Sequence, residues 1–67
     1  MFQTTAYAAV RKVADIEHEF IAYDEIHDSP ELVQLTVSHN AIQIPEWHRD
    51  NPVQRIVRVE ITEVKEG

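Results

Sequence analysis

The sequence predicts an α+β fold in which one N-terminal helix packs on a three-stranded antiparallel sheet. Three observations lead to this prediction. Residues 53–64 alternate apolar and polar side chains as a strand does, and residues 5–27 carry an apolar stripe at helical spacing. Two shorter alternating runs, residues 33–37 and 42–44, supply the other two strands. One helix on three strands is close to the smallest arrangement that folds without a partner.

The run at residues 53–64 is the clearest element. Its apolar side chains fall on one side of the alternation, at Val53, Val57, Val59 and Ile61. The polar side chains fall on the other side, at Gln54, Arg58, Glu60 and Thr62. β-Branched residues favour strands, and the Asn51-Pro52 pair before the run favours a turn. The sequence therefore predicts a strand with one dry face, which the N-terminal helix covers.

Residues 5–27 contain five alanines and neither glycine nor proline, a composition that favours a helix. Apolar residues recur there at alternating spacings of three and four, at Ala6, Ala9, Val13, Ile16, Phe20 and Tyr23. A competing interpretation divides the segment into two strands, residues 3–10 and 18–26, joined near Asp15. That turn lacks the Gly, Asn-Gly or Asp-Gly residues that tight hairpins prefer, so the helix is the favoured prediction.

The segment after residue 28 also admits two interpretations. Pro30 favours the end of any helix that arrives from upstream, and the alternating runs then predict a hairpin whose tip is His39-Asn40. The alternative is a helix from Ser29-Pro30-Glu31 to about His39, because a serine cap, a first-turn proline and an early acid are start signals. With two N-terminal strands, this alternative gives the order β-β-α-β. Residues 45–52, which are bounded by prolines, are predicted to form a loop.

A chain of 67 residues forms at most one domain, so we expect residues 1–67 to be a single domain. The sequence has no cysteine, which excludes disulfides and thiolate metal sites. No apolar run approaches the roughly 20 residues that span a bilayer, and the N-terminus lacks the features of a signal peptide. We therefore expect a soluble cytoplasmic protein, complete as it stands, that does not contact a membrane.

The formal net charge is −6, and the acidic residues are concentrated in residues 15–48, which contain no lysine or arginine. The acids that we expect to bind a partner are Asp15, Glu17, Glu19, Asp24, Glu25, Asp28 and Glu31. Three of them, Glu17, Asp24 and Asp28, would line one ridge of a continuous N-terminal helix. Phosphates attract clustered cations, so direct nucleic-acid binding is disfavoured and a protein with a basic surface is the expected partner. The alternative is an acidic face that only keeps a small protein soluble.

Trp47 and Arg49 complete the predicted partner-binding residues, because an aromatic side chain beside an arginine is typical of a binding hot spot. The competing interpretation gives Trp47 a structural role in closing one end of a small core. The four histidines have no spacing typical of a metal site, and we expect neither a metal nor a cofactor. No nucleophile, acid and base pair or phosphate-binding loop is recognisable, so we do not expect an enzyme.

Three segments carry a resemblance to a known family: Glu17-His18-Glu19-Phe20, the run from Asp28 to Leu35, and Arg55-Ile56-Val57-Arg58-Val59. Together they resemble small phage-encoded inhibitors of bacterial RNA polymerase. The resemblance implies an acidic β/α protein with two strands in its N-terminal third and a basic channel of a host enzyme as its target. Other phage proteins of this size and charge block CRISPR surveillance complexes or restriction enzymes.

We therefore predict a phage-encoded viral protein that acts in the host cytoplasm as a host-takeover inhibitor. It would bind RNA polymerase, a CRISPR complex or a nuclease through its acidic surface, as an RNA polymerase inhibitor or an anti-CRISPR protein does. The alternative function is a small oligomeric structural or regulatory subunit, antitoxin-like or an assembly protein. This alternative would use a sheet edge or the helix to form a homodimer.

Overall fold

The computed structural model describes residues 2–64, which form a three-stranded antiparallel sheet and two helices. The elements in chain order are β1 (Gln3–Lys12), β2 (Glu19–His27), α1 (Pro30–Gln43), α2 (Pro45–Asp50) and β3 (Val53–Thr62). The order of strands in the sheet is β2-β1-β3, so the first strand is central and the other two are edges. Within the described residues, neither helix is long and apolar enough to cross a membrane.

The predicted N-terminal helix is wrong, because residues 3–27 form the β1–β2 hairpin. In the central strand β1, alternate positions are buried on both sides of the sheet: Ala6, Ala8 and Val10 on one side, Ala9 and Arg11 on the other. Alanine favours helices, but pairing with two neighbouring strands overrides that preference here.

The turn of this hairpin includes Asp15, which takes a left-handed backbone with φ of 67°. Aspartate tolerates this conformation better than most residues, so the hairpin turns without the glycine or asparagine that we had required. The competing two-strand interpretation of this segment therefore describes the structure, with β1 two residues longer than expected and β2 shifted by one residue.

The predicted hairpin around His39-Asn40 is also wrong, because residues 30–43 form helix α1. The Ser29 hydroxyl accepts a hydrogen bond from Leu32 N–H at 3.3 Å, and Pro30 occupies the first turn. These are the start signals of the alternative interpretation, and they outweigh the strand preference of the valines. The predicted loop at residues 45–52 contains the short helix α2.

The strand predicted at residues 53–64 is present as β3, but its dry face is not the one that a helix covers. Ile56 and Ala9 are paired, and both pack with Val33 and Val37 of α1. Alternation therefore directs Val57 and its partner Ala8 to the opposite, helix-free face of the sheet. A register shift at the start of β3 places Val53 on the helix side instead.

The apolar core between α1 and the sheet is small. It consists of Ala9, Val33 and Val37, with Tyr7, Val53 and Ile56 packed against it. The small side chain of Ala9 lets α1 lie close to the central strand, where it packs against β1 and β2. The rest of the space between the helices and the sheet is polar, and it positions the candidate site.

Candidate partner-binding surface

Most of the acidic residues predicted to bind a partner follow strand β2, which is one edge of the sheet. Asp15 and Glu17 lie in the turn before β2, Asp24 lies within it, and Asp28 and Glu31 lie at the junction with α1. We call these five residues, Asp15, Glu17, Asp24, Asp28 and Glu31, the acidic edge. Because of an irregularity in β2, this strand lies alongside only residues 7–12 of β1, which at about 3.3 Å per residue extend over about 17 Å.

The predicted ridge of Glu17, Asp24 and Asp28 on one helix face is wrong, because these residues lie in a turn, a strand and a strand–helix junction. The five residues of the acidic edge are exposed, and they lie before, within or after the same edge strand.

Strand β2 is interrupted by a large bulge opposite Ala9. Between the pairs Ala8–Ile26 and Val10–Ile21, β1 contributes one residue and β2 contributes residues 22–25. The bulge leaves Tyr23 almost fully exposed, with 91% of its surface accessible, and buries Glu25 completely. A bulge of this kind disrupts the outer ladder of an edge strand, so β2 is poorly suited to pairing with a further strand.

Glu25 is held by a buried ion pair and therefore is not available to a partner. Arg11 Nε donates to Glu25 Oε1 at 2.8 Å, and Arg11 Nη2 donates to Oε2 at 2.6 Å. Both side chains are fully buried. Asn40 of α1 donates its side-chain N–H to Glu25 Oε2 at 2.9 Å and to Asp24 Oδ2 at 3.2 Å. The network ties the bulge of β2 to the central strand and to the helix.

The remaining donors of Arg11 are satisfied by α2 and the residue after it. Arg11 Nη1 donates to the backbone carbonyl of Asn51 at 2.7 Å and lies 3.3 Å from His48 Nδ1. Because a guanidinium group only donates, His48 Nδ1 is the acceptor in that contact. The Arg11 guanidinium carbon also lies 4.5 Å from the centre of the Trp47 ring, a cation–π arrangement.

The charge state of Glu25 follows from these contacts. Burial by itself raises the pKa of this carboxyl group, but the hydrogen bonds from Arg11 and Asn40 and the positive charge of Arg11 outweigh it, so the pKa lies below its ordinary value. An ionised Glu25 matches the buried guanidinium. No polar side-chain atom of the described residues is buried without a hydrogen-bond partner.

Glu19 is also paired, although it lies at the surface. Arg55 of β3 donates to its two carboxylate oxygens at 2.8 and 3.1 Å, across the end of β1. These hydrogen bonds lower the pKa of Glu19 and raise that of Arg55. Because Arg55 compensates its charge within the chain, Glu19 is not included in the acidic edge.

Trp47 and Arg49, the other two predicted residues, both lie in α2. Trp47 is half-buried between Arg11 and Phe20, whose ring meets it edge-on at 6.4 Å. Its other side lines an open hollow of about 380 Å³ together with Ile44, Pro45 and Glu46. The contacts favour the structural interpretation of Trp47. Arg49 is exposed and lies 3.6 Å from Asp50.

The acidic edge differs from these paired residues. Within residues 2–64, Asp15, Asp28 and Glu31 form no salt bridge, and Glu17 is exposed with one long contact of 3.5 Å to Lys12. No three histidine, aspartate or glutamate side chains in this part of the chain are grouped to hold a metal ion. The acidic edge therefore consists of separate, exposed carboxylates.

Sequence reasoning did not find the Arg11, Glu25 and Asn40 network. One signal was present, because Arg11 continues the inward side of β1 after Tyr7 and Ala9, and a charge at such a position requires a buried partner. Which acid supplies that partner depends on the bulge in β2, and no local pattern predicts the bulge.

The chain matches no protein-family model, no curated protein and no solved structure.

Proposed function

We propose that this chain is a small non-enzymatic protein that binds a basic surface of a nucleic-acid-handling complex and blocks it. The contact is the acidic edge along β2. The observation that carries the proposal is a set of exposed carboxylates along one edge strand, of which Asp15, Asp24, Asp28 and Glu31 form no salt bridge within residues 2–64, in a chain whose formal net charge is −6.

The acidic edge suits a contact made by side chains. The bulge at residues 22–25 discourages addition of a further strand to β2, so a partner meets carboxylates and not a regular row of backbone groups. Carboxylates at an edge attract lysine and arginine side chains, which also line the grooves that bind nucleic-acid phosphates. A row of anions occupying such a groove would exclude the nucleic acid.

Charge is distributed so that the acidic edge faces a partner without interference. Three of the basic side chains are paired or buried: Arg11 with Glu25, Arg55 with Glu19, and Lys12 beside Glu17. Arg58 lies on β3, at the other edge of the sheet. Long-range attraction to a basic partner is therefore strongest on the β2 side, which speeds association at low salt.

The element order supports the same proposal through the resemblance to phage inhibitors of RNA polymerase. That resemblance implies two strands in the N-terminal third, and residues 3–27 form two strands. Its second segment opens α1, and its third segment lies in β3. The target, a polymerase, a CRISPR complex or a nuclease, remains part of the proposal.

The test is affinity capture with the tagged chain from a lysate of the cells in which it occurs, with washes at about 0.15 M and about 1 M salt. Raising the salt shortens the screening length from about 8 Å to about 3 Å, so a contact between the acidic edge and a basic surface should be released. We expect recovery of a nucleic-acid-handling complex at low salt, its release at high salt, and its displacement by added DNA or RNA.

A matched pair of variants assigns the contact to the acidic edge. The double variant Glu17→Lys, Asp24→Lys reverses two charges on the edge and should abolish capture. The control Glu46→Lys, Asp50→Lys makes the same change in net charge within α2 and should retain most of it. Equal capture by both variants, or equal loss in both, would contradict the proposal, because the effect would not depend on the edge.

A second function is favoured by a different observation. Strand β3 presents a regular, unpaired edge, which is the feature expected of an oligomeric structural or regulatory subunit. Such a subunit would form a salt-resistant self-interface and would capture only further copies of itself.

A further inference from the structure

The outer edge of β3 is long and regular, and charged side chains are the usual protecting feature that it retains, at Arg55, Arg58 and Glu60. It is ten residues long and pairs only with β1, in a register that is regular from Gln3–Thr62 to Val10–Arg55. No bulge interrupts β3 within that register, and α1 packs mainly on the other two strands, although Val53 and Ile56 of β3 also reach its core. Natural proteins usually bend, cover or shorten such an edge, so a long, regular one indicates a partner strand.

The backbone groups that this edge offers follow from one hydrogen bond. Glu63 N–H donates to the carbonyl of Phe2 at 2.8 Å, which continues the β1–β3 register by one pair. Odd-numbered residues of β3 therefore direct their N–H and C=O groups toward β1. In an antiparallel ladder the intervening residues point the other way, so the outward groups belong to Ile56, Arg58, Glu60 and Thr62.

The charges along β3 form a pattern that is complementary to itself. Arg58 and Glu60 are the two neighbours of Val59 in the sequence. Arg55 and Glu63 each lie four residues from Val59, on opposite sides of it. Every other position between residues 55 and 63 is uncharged. When two copies of this strand run antiparallel about Val59, each positive side chain therefore lies opposite a negative one.

We propose that two copies of the chain pair through their β3 edges, antiparallel and centred on Val59, to form one six-stranded sheet. Arg58 of each copy then lies opposite Glu60 of the other, and Val57 lies opposite Ile61. The outward groups supply about eight backbone hydrogen bonds across the junction. Opposite charges and β-branched pairs directly across two strands stabilise such pairing.

The side chains of the proposed ion pair are available in the single chain. Among the described residues Arg58 forms no salt bridge, and Glu60 has one long contact, 3.4 Å from Gln3 Nε2. Arg55 is already bonded to Glu19 in its own chain, so the Arg58–Glu60 pairs set the register.

Neighbouring registers are disfavoured by charge. Centring the pair on Arg58 places two arginines opposite each other, and centring it on Glu60 places two glutamates opposite each other. If one strand slides by one residue relative to the other, an outward-facing residue lies opposite a residue whose backbone groups point to β1. The register centred on Val59 satisfies both the hydrogen bonds and the charges.

The net charge of the chain does not oppose this arrangement. The order β2-β1-β3 places the acidic edge at the opposite side of the sheet from the junction. In the six-stranded sheet the two β2 strands are separated by five inter-strand spacings, about 24 Å, which is well beyond the screening length of about 8 Å at physiological salt. The pairing does not depend on the proposed contact of the acidic edge, rests on the second function proposed above, and leaves both acidic edges exposed.

The test uses charge reversal at the two central positions, measured by light scattering and sedimentation of the full chain over a range of concentrations. The unmodified chain should have twice the mass of one copy. Arg58→Glu places glutamates opposite Glu60, and Glu60→Arg places arginines opposite Arg58, so each variant should have the mass of one copy. The double variant Arg58→Glu, Glu60→Arg exchanges the charges and should recover the doubled mass.

A mixture of the two single variants gives the sharpest result, because the acidic strand of one is complementary to the basic strand of the other. The mixture should form a dimer although neither component does alone. Circular dichroism shows whether each variant is folded, and both positions are exposed. A single-copy mass for the unmodified chain at all concentrations would overturn the proposal, as would a doubled mass that both single variants retain.

Discussion

The two edge strands of the sheet, β2 and β3, differ in regularity and in the charges around them. Strand β2 is bulged, flanked by acids and anchored from inside by the Arg11–Glu25 ion pair. Strand β3 is regular and nearly balanced in charge, and it is held by its pairing with β1, the Arg55–Glu19 ion pair and the packing of Val53 and Ile56 on the core. A bulge anchored by a buried charge, as at Glu25, makes an edge strand unsuited to pairing with a further strand but leaves its other side chains available for contacts. A regular edge strand remains able to pair.

We expect the conformation of β2 to depend on the buried Arg11–Glu25 ion pair far more than the conformation of β3 depends on its own charged side chains. The network brings residues from β1, β2, α1 and the segment after α2 to one buried point. The apolar core between α1 and the sheet consists of only three buried side chains and their half-buried neighbours, so the buried Arg11, Glu25 and Asn40 side chains are a substantial part of this interior. Removal of the network should therefore disturb the acidic edge and the fold together.

The largest expected effect comes from breaking the ion pair. Arg11→Ala leaves Glu25 buried without its partner, which typically costs about 3–5 kcal/mol. A small domain rarely holds more than about 3–5 kcal/mol in total, so this variant should be largely unfolded in urea titrations followed by circular dichroism. Arg58→Ala is the matched control on β3, and it should change the stability of the monomeric state by less than about 0.5 kcal/mol. Equal stability of the two variants would contradict the contrast between the edges.

Removing both charges together separates the charge from the packing. The double variant Arg11→Met, Glu25→Leu leaves no unpaired buried charge, so we expect it to be more stable than either single substitution to an apolar residue. A double-mutant cycle from urea midpoints measures the coupling. Additive effects of the two substitutions would show that the ion pair is not the anchor of β2.

A smaller effect is expected from acid. The pKa of Glu25 in the folded chain lies below its ordinary value of 4.5, so its ion pair contributes stability above that value and loses it as the pH falls through the lowered pKa. The urea concentration at which the unmodified chain is half unfolded should therefore decrease as the pH is lowered below about 4.5. The variant Glu25→Gln should lose part of this dependence, whereas Glu17→Gln should keep it. An identical pH profile for Glu25→Gln would contradict the assignment.

Parts of the fold were accessible from sequence for physical reasons. The period-two run at residues 53–64 predicts β3, which ends at Thr62, because an antiparallel strand with one apolar face alternates apolar and polar side chains. The start of α1 is encoded locally by Ser29 and Pro30, although the prediction gave these signals too little weight against the valines. The central strand β1 was missed, since it is buried on both faces and its alanines satisfy helical and strand periodicities equally.

The candidate site divides in the same way. The sequence shows that residues 15–48 lack lysine and arginine, but it does not predict that Glu17, Glu19 and Glu25 pair with cations from outside that segment. It does not predict that Glu25 turns inward, because the bulge that buries it depends on pairing with β1 across the hairpin. The self-complementary charges of β3 are present in the sequence, but they gain meaning only when β3 is known to be an edge.

Amide hydrogen exchange at two protein concentrations tests the difference between the edges most directly. The N–H groups of Arg58 and Glu60 should exchange more slowly as the concentration rises, because they become hydrogen-bonded in the dimer. The amides of β2 should show no such change, because its bulged edge takes no strand. Slowing that is equal at both edges, or a β3 edge whose exchange is independent of concentration, would contradict the account.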